Sequence, residues 1–446
     1  MSLTIRYNHE AILMHRTMSE NQAALQKSSE KVASAQRVTG AADDVSGYAI
    51  SERMRGMIRD LAQDVRNTQN GNSLLKVAEG AVADTVDILR IMQSKAIEAA
   101  NDTNDDEDRA VIQKEYNQYI DQIDDNARVT FNGKTLTDGS KNREGSATRT
   151  SLTNNMLSSD TTELTTFTDM KNRQGENLGI VENDTVEISY VKQGETVTAN
   201  VLGKDNMTKL IEAANHAATA EEMLKTKLNG RAFDTEILSG KTVGKDTAGI
   251  EVSTVDGKNA ITIRAEEEGV SGQIGGVAVK VLDSEANIKK NATETLNAFI
   301  ETVRAEDASD DNDLIIHTGP KANQNLRMYM TDMRSYALGL RGKDGNTLSI
   351  GTRTEANAAI QTVTNALQKA LNEQTRLGSY HYRLDYTKAN LTIAGENVEA
   401  SDNTIRGIDF ASQMVDHTKH KILAQSSTVM LAQSNNNASD VLTLLQ

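Results

Sequence analysis

The sequence predicts a mainly α-helical chain that is interrupted in its middle by an α+β insertion. Near both ends, apolar residues recur at intervals of seven, which is typical of helices that pack side by side. Between about residues 160 and 345, apolar and polar residues alternate around Gly-containing turns, which favours β hairpins. Only 37% of the 446 residues are hydrophobic and the mean hydropathy is −0.51, so one large core is not expected. We therefore expect the N- and C-terminal helices to form a coiled-coil or helical bundle, with β hairpins and short helices in the middle domain or domains.

The first predicted helix carries one apolar seam. Its members stand at intervals of seven and are Ala11, Met18, Leu25 and Val32. A strict seven-residue repeat favours supercoiling with a partner helix. The pattern then breaks, and we predict a linker at 38–46 in which Asp43 and Asp44 act as helix caps.

A second predicted helix runs for about 50 residues from Tyr48, which corresponds to roughly 75 Å. Its seam consists of Met54, Leu61, Thr68, Leu75, Val82, Leu89 and Ala96. The acidic segment 102–108 should end this helix. Because Glu107 stands where a calcium loop requires Gly, we interpret the segment as a solvated connection.

The following segments change from helical to strand-like spacing. A short helix is predicted through 112–123 and a hairpin at Asn132-Gly133. Further hairpins should turn at Gln193-Gly194 and at Asp256-Gly257. The predicted strands are 185–191, 196–202, 250–255, 260–265 and 276–282, and the predicted helices of this region are 207–228 and 286–304.

The C-terminal part returns to the seven-residue spacing. One seam contains Val363, Ala370, Leu377, Leu384, Leu391, Val398 and Ile405. The next is shifted by three residues and contains Ile408, Val415, Ile422 and Val429, and the chain closes on the apolar residues Val441, Leu442, Leu444 and Leu445. We expect the inner rods to pair within the chain and the extreme ends to pair between chains.

Composition and motifs argue against several classes of function. A net charge of −15 argues against nucleic-acid binding, and no apolar run approaches the roughly 20 residues of a membrane-spanning helix. The absence of Cys excludes disulfides and thiol chemistry. No zinc-protease, phosphate-loop or nucleophile-elbow motif is present, and we interpret His417 and His420 as ordinary surface residues. We therefore expect no cofactor, no metal and no enzymatic activity.

The N-terminal sequence lacks the basic cluster and apolar stretch of a cleaved secretory signal. The chain is therefore expected to be cytoplasmic or to be exported by another route.

Sequence blocks at both ends match a known family. The N-terminal blocks are Lys31–Val38, Ala41–Ile50, Asn70–Ser73, Ala78–Ala81, Ala99–Thr103 and Phe131–Gly133. The C-terminal blocks include Asn390-Leu391, Glu396–Val398, Ile405–Asp409, Leu431–Asn435 and Val441–Leu445. Together these blocks resemble bacterial flagellin over about 1–140 and 310–446.

The resemblance implies a structural subunit that polymerises into the flagellar filament for motility. It also implies export by the flagellar apparatus, an extracellular location, and contacts with an export chaperone, the filament cap and hook-junction proteins. Two alternatives stay open, namely a flagellin-like hook–filament junction protein and a flagellin with an enzymatic middle domain. The expected domains are a filament-core helix with linker at 1–45, the two parts of a rod domain at 46–160 and 311–403, a variable surface-exposed region at 161–310, and a C-terminal filament-core helix at 404–446.

One segment departs from the family. Where flagellins usually carry an Arg-x-Arg-Glu-Leu core that the host innate receptor recognises, this chain has Ile91, Gln93, Ser94 and Lys95, although Glu115 is retained. The resemblance therefore implies weakened recognition by that receptor.

Overall fold

The computed structural model of the protein describes residues 8–215 and 235–444. The described chain divides into two compact units. The terminal unit contains the described residues up to Gln69, His317–Asn325, and the described residues from Asp385 onward. The inner unit contains Asn70–Ile316 and Leu326–Leu384, as far as they are described.

In the terminal unit, helix α1 (His9–Ser34) packs against helix α7 (Phe410–Leu444). The side chain of Asn8 caps α1 by accepting a hydrogen bond from the backbone N–H of Ala11 at 3.0 Å. The helix ends at Ala35, which adopts the left-handed conformation with φ 54°. Helix α2 (Val45–Ala99) begins in this unit, and helix α6 (Arg353–Arg406) ends in it.

In the inner unit, α2 and α6 share one apolar core with helix α3 (Asp106–Ala127). Asp105 caps α3 in a capping box with Asp108, so the acidic segment 102–108 contains the N-cap of this helix. The sequence prediction of long terminal helices around an α+β middle is confirmed. The fully buried residues of this core include Leu75, Leu89, Met92, Tyr116, Ile120, Ile123, Leu377 and Leu384.

Two of the predicted hairpins are present. Strands β1 (Thr130–Phe131) and β2 (Lys134–Thr135) pair across Asn132 and Gly133, whose φ angles are 50° and 75°. Strands β4 (Thr185–Lys192) and β5 (Glu195–Leu202) pair in full antiparallel register. Strand β10 (Ile274–Leu282), which the sequence also predicts, lies on the other side of β4.

The other described strands form one four-stranded sheet and further two-stranded ladders. A four-stranded sheet has the order β11 (Phe299–Val303), β3 (Ser151–Asn154), β9 (Ala260–Ala265) and β6 (Thr235–Gly240). Two-stranded ladders join β7 (Thr242–Lys245) to β8 (Glu251–Ser253) and β12 (Leu314–His317) to β13 (Asn325–Met328). Short helices are α4 (207–215), α5 (Lys290–Leu296) and single 3₁₀ turns at Phe167–Asp169 and Val270–Gly272.

The predicted hairpin at Asp256-Gly257 is wrong in its pairing. The turn itself forms, because the backbone N–H of Gly257 donates to the carbonyl of Thr254 at 3.1 Å. However, the N–H of Thr254 donates to Lys241, and β8 pairs with β7. Strand β9 is buried along almost its whole length, so it lies between β3 and β6 instead of at a hairpin edge.

The predicted helix 286–304 is also wrong over most of its length. Only Lys290–Leu296 is helical, and Phe299–Val303 forms a strand against β3. The side chain of Asn297 accepts a hydrogen bond from the N–H of Val279 at 3.1 Å, which ties the end of the helix to β10. Of the predicted helix 207–228, residues 207–215 are helical and the rest lies outside the described residues.

Candidate interaction surface

The two terminal helices run antiparallel and meet through polar contacts. The Asn8 amide donates to the carbonyl of Ser434 at 3.3 Å, near one end of the pair. The Gln413 amide donates to Ser28 Oγ at 3.0 Å, near the other end. The α1 residues of the predicted seam, Ala11, Met18, Leu25 and Val32, are half-buried. A seam between α1 and α7 therefore exists within the single chain.

Apart from Leu431, the α7 side of this seam is polar or small. Its partly or fully buried positions follow alternating intervals of four and three and are Gln413, His417, His420, Ala424, Ser427, Leu431 and Ser434. The predicted α7 seam did not include this face, because only apolar residues at the seven-residue spacing were assigned to that seam. The spacing of the small and polar residues was the signal that could have found it.

His417 and His420 are therefore not ordinary surface residues. Both are half-buried in the α1–α7 seam, and the Nδ1 atom of each is buried without a hydrogen-bond partner. They come close together as the helical spacing requires, but the described residues contain no group of three side chains suited to hold a metal ion.

Three branched apolar residues of α7 face away from the seam. Val415, Ile422 and Val429 are 70%, 56% and 69% exposed, and we call these three residues the α7 stripe. Ala424, in the seam, lies nine residues after Val415, which places the two about 180° apart around the helix. The intrachain partner α1 therefore leaves the stripe uncovered.

Other predicted terminal residues lie outside this surface or outside the description. Ile408 is half-buried in the connection between α6 and α7. Helix α7 continues to Leu444, but the side chains of Val441, Leu442, Leu444 and Leu445 lie outside the described residues.

The two linkers that lead to the terminal helices are joined to each other. Gln36 and Gly407 form an isolated antiparallel bridge. The side chain of Arg406, only 6% exposed, donates from Nη2 to Glu52 Oε1 at 2.6 Å, and its guanidinium carbon lies 4.9 Å from the centre of the Tyr48 ring. We call Gln36, Tyr48, Glu52, Arg406 and Gly407 the linker latch.

Asp43 and Asp44 have different roles. Asp44 caps α2, since its Oδ1 accepts from the N–H of Gly47 at 2.9 Å. Asp43 is not a cap of α2. It pairs with Lys27 Nζ at 2.6 Å and accepts hydrogen bonds from the backbone and hydroxyl of Thr39. The Lys27 contact first, and then the Thr39 hydrogen bonds, hold the pKa of Asp43 well below its ordinary value.

The residues predicted to pack in the rods differ in burial along the chain. Met54 and Val398 are half-buried. The other predicted rod residues are buried, namely Leu61, Leu75, Val82, Leu89, Leu377, Leu384 and Leu391.

The segment that departs from the family lies on the surface of α2. Ile91 is 42% exposed, and the Gln93 amide donates to Thr364 Oγ1 at 3.0 Å. Ser94 is exposed. Lys95 Nζ lies 3.2 Å from Glu98 and 3.3 Å from Glu115, so it ties α2 to α3. A hydrogen bond from the Tyr119 hydroxyl, followed by the contact with Lys95, lowers the pKa of Glu115.

The acidic connection 102–108 makes contacts within the inner unit. Asp102 pairs with Arg353 at 2.9 Å, and Asp105 caps α3, so two of these acids serve the packing of the inner unit. In residues 8–215 and 235–444, no helix is both long and apolar enough to cross a membrane.

Two family models match the chain. The model of the bacterial flagellin N-terminal helical region matches residues 5–142, and that of the bacterial flagellin C-terminal helical region matches residues 360–445. These ranges contain α1, most of α6, α7 and the whole of α2 and α3.

Curated relatives extend over the whole length. A flagellin of Clostridium tyrobutyricum is 29% identical over 434 residues, which cover 97% of this chain and 99% of that protein. Flagellin FlaB2 of Treponema pallidum is 25% identical and covers 100% of both chains. The solved structure of flagellar hook associated protein-3 from Legionella pneumophila covers 79% of this chain and 98% of that chain, but its TM-score of 0.35 at 14% identity is too low to establish a shared fold. The two family models and the full-length relatives together show that this chain belongs to the bacterial flagellin family.

Proposed function

We propose that this flagellin polymerises through the α7 stripe, which would pack against terminal helices of neighbouring copies in the filament core. The chain is a structural subunit of the bacterial flagellar filament and hence an extracellular filament component. The observation that carries the proposal is that Val415, Ile422 and Val429 are at least 56% exposed although α7 is already paired with α1.

The energetics favour the stripe as the contact between copies. Burying one Val or Ile side chain contributes about 1.5–3 kcal/mol, and the stripe offers three such side chains per subunit. A hydrogen bond of the α1–α7 seam, such as that of Gln413 with Ser28, contributes only about 0.5–1.5 kcal/mol. The seam is suited to hold α7 in place, and the stripe is suited to drive association.

The remaining predicted core residues support the same proposal less directly. We propose that Ala11, Met18, Leu25 and Val32 act by holding α1 against α7, which they line as half-buried residues. We also propose, from the sequence pattern alone, that five further apolar residues pack in the filament core. They are Ile408, Val441, Leu442, Leu444 and Leu445.

The test uses a variant of the whole stripe. The triple variant Val415→Ser, Ile422→Ser, Val429→Ser should lose salt-induced filaments, measured by sedimentation and negative-stain electron microscopy, while the circular dichroism of the monomer stays unchanged. The matched control is Val255→Ser with Ile300→Ser, because these residues are 87% and 60% exposed but belong to the inner unit. Filaments of normal yield from the triple variant would contradict the proposal.

Further partners are proposed from the family. We propose export through the flagellar apparatus with an export chaperone, and contacts of the growing filament with cap and hook-junction proteins. The full-length relatives are named flagellins or filament core proteins. The alternatives of a junction protein or an enzymatic middle domain are therefore not favoured.

Recognition by the host innate flagellin receptor is proposed to be weakened. Ile91 and Ser94 present apolar and neutral surface where the family usually carries charge, and Lys95 is engaged by Glu98 and Glu115. The expected result is a right-shifted dose response in receptor reporter cells relative to a flagellin with the usual motif. Restoring the motif at residues 91–95 should recover potency. Equal potency of this flagellin and a flagellin with the usual motif would contradict the proposal.

A further inference from the structure

Two methionines border the α7 stripe and are open to solvent in the single chain. Met414 is 38% exposed and Met430 is 59% exposed. Consecutive residues of an α helix are about 100° apart, so Met414, which precedes Val415, and Met430, which follows Val429, lie on opposite flanks of the stripe.

We propose that Met414 and Met430 are oxidation sites that control assembly: a peroxide converts both thioethers to sulfoxides in the free subunit, and the oxidised subunit polymerises only at a higher concentration. The thioether sulfur attacks one peroxide oxygen, so an S–O bond forms and the O–O bond breaks. Sulfur loses two electrons to the peroxide, and the second oxygen takes up the proton of the transferred oxygen and leaves as water. This inference rests on polymerisation through the α7 stripe.

The effect follows from the change in polarity. Methionine is a flexible apolar residue that adapts to neighbouring side chains, whereas its sulfoxide carries a strong hydrogen-bond acceptor. Val415, Ile422 and Val429 carry no side-chain donor, so a sulfoxide that is buried against them exchanges hydrogen bonds with water for apolar contacts. In a formed filament, neighbouring copies would cover both flanks, and the sensitivity should therefore belong to the free subunit.

Two other methionines are similarly exposed to solvent but lie away from the α7 stripe, so they serve as controls. Met57 on α2 is 41% exposed, and Met156 in the inner unit is 48% exposed. Peroxide reaches thioethers according to their exposure, so all four residues should oxidise at comparable rates. Only oxidation of Met414 and Met430 should affect assembly.

The experiment oxidises full-length monomer with hydrogen peroxide, locates the sulfoxides by peptide mass spectrometry and measures the critical concentration for polymerisation. We expect that concentration to rise about tenfold or more, as burial of an unpaired polar group implies. Treatment with methionine sulfoxide reductases should restore the original value. The variant Met414→Leu with Met430→Leu should resist peroxide, whereas Met57→Leu with Met156→Leu should remain as sensitive as the unmodified chain.

The outcomes separate this inference from the proposed function. Normal assembly with both flanking residues fully oxidised would overturn the inference and leave polymerisation through the stripe intact. Continued sensitivity of the Met414→Leu, Met430→Leu variant would also overturn it, because the damage would then lie elsewhere. The reductase arm needs no substitution, so it tests the inference even if the leucine variant assembles poorly. Normal filaments from the triple stripe variant would refute the proposed function itself.

Discussion

The inner helices and the terminal helix α7 share a seven-residue apolar spacing but differ in what covers it. Leu75, Leu89, Leu377 and Leu384 are at most 1% exposed, because residues of α2, α3 and α6 meet in one core. The α7 stripe is 56–70% exposed, because α1 packs against the opposite face. The difference teaches that a heptad repeat specifies a packing surface without specifying whether its partner belongs to the same chain.

The largest expected effect is a difference in monomer stability between a substitution in the inner core and one in the α7 stripe. Leu89→Ala removes a fully buried side chain and should lower the free energy of unfolding by about 2–5 kcal/mol, since it leaves a cavity. Ile422→Ala, at an exposed position of α7, should change it by no more than about 0.5 kcal/mol. Urea unfolding of the monomer, followed by circular dichroism, measures both. Equal destabilisation would mean that the stripe is already packed within the chain.

An intermediate effect is expected at the linker latch. Arg406→Met removes the contacts with Glu52 and Tyr48 and should cost about 1–3 kcal/mol, because the side chain is only 6% exposed, Glu52 loses its hydrogen bond and the Tyr48 ring loses the guanidinium. Hydrogen exchange of the segment 35–44 should accelerate accordingly. Arg59→Met is the control, since Arg59 is an exposed residue of the same unit. Unchanged exchange in the Arg406 variant would show that the Gln36–Gly407 bridge holds the linkers unaided.

The smallest effect concerns the charge of Asp43. Its pKa is lower in the folded protein than in the unfolded chain, so the carboxylate stabilises the linker above the unfolded value of about 3.9. This stabilisation is lost as the pH falls below about 4 toward the folded pKa. Asp43→Asn should therefore accelerate hydrogen exchange of segment 35–44 at pH 7, and the difference from the unmodified chain should shrink in acid. A pH-independent difference would indicate that the amide disturbs packing rather than charge. Asp87→Asn, at an exposed residue of α2, is the control.

Local signals predicted much of the fold. The turns at Asn132-Gly133 and Gln193-Gly194 produced the expected hairpins, because turn and strands are adjacent in sequence. The strand Ser151–Asn154 was not predicted, and β9 was assigned to the wrong partner, because both pair with strands that are distant in sequence. Pairing of distant strands depends on which faces must be buried, and no local pattern encodes that choice.

For the α7 stripe, too, some features follow from the sequence and others only from the tertiary structure. The sequence alone determined that Val415, Ile422 and Val429 form one apolar row and that both ends of the chain are helical, because helical periodicity and side-chain polarity are local properties. Only the tertiary structure decided which face of α7 pairs with α1. A helix presents two faces about 180° apart, and the hydrogen bonds of Gln413 and Ser427 with α1 select the polar one. The apolar face stays exposed, because one helix cannot cover both sides of its partner.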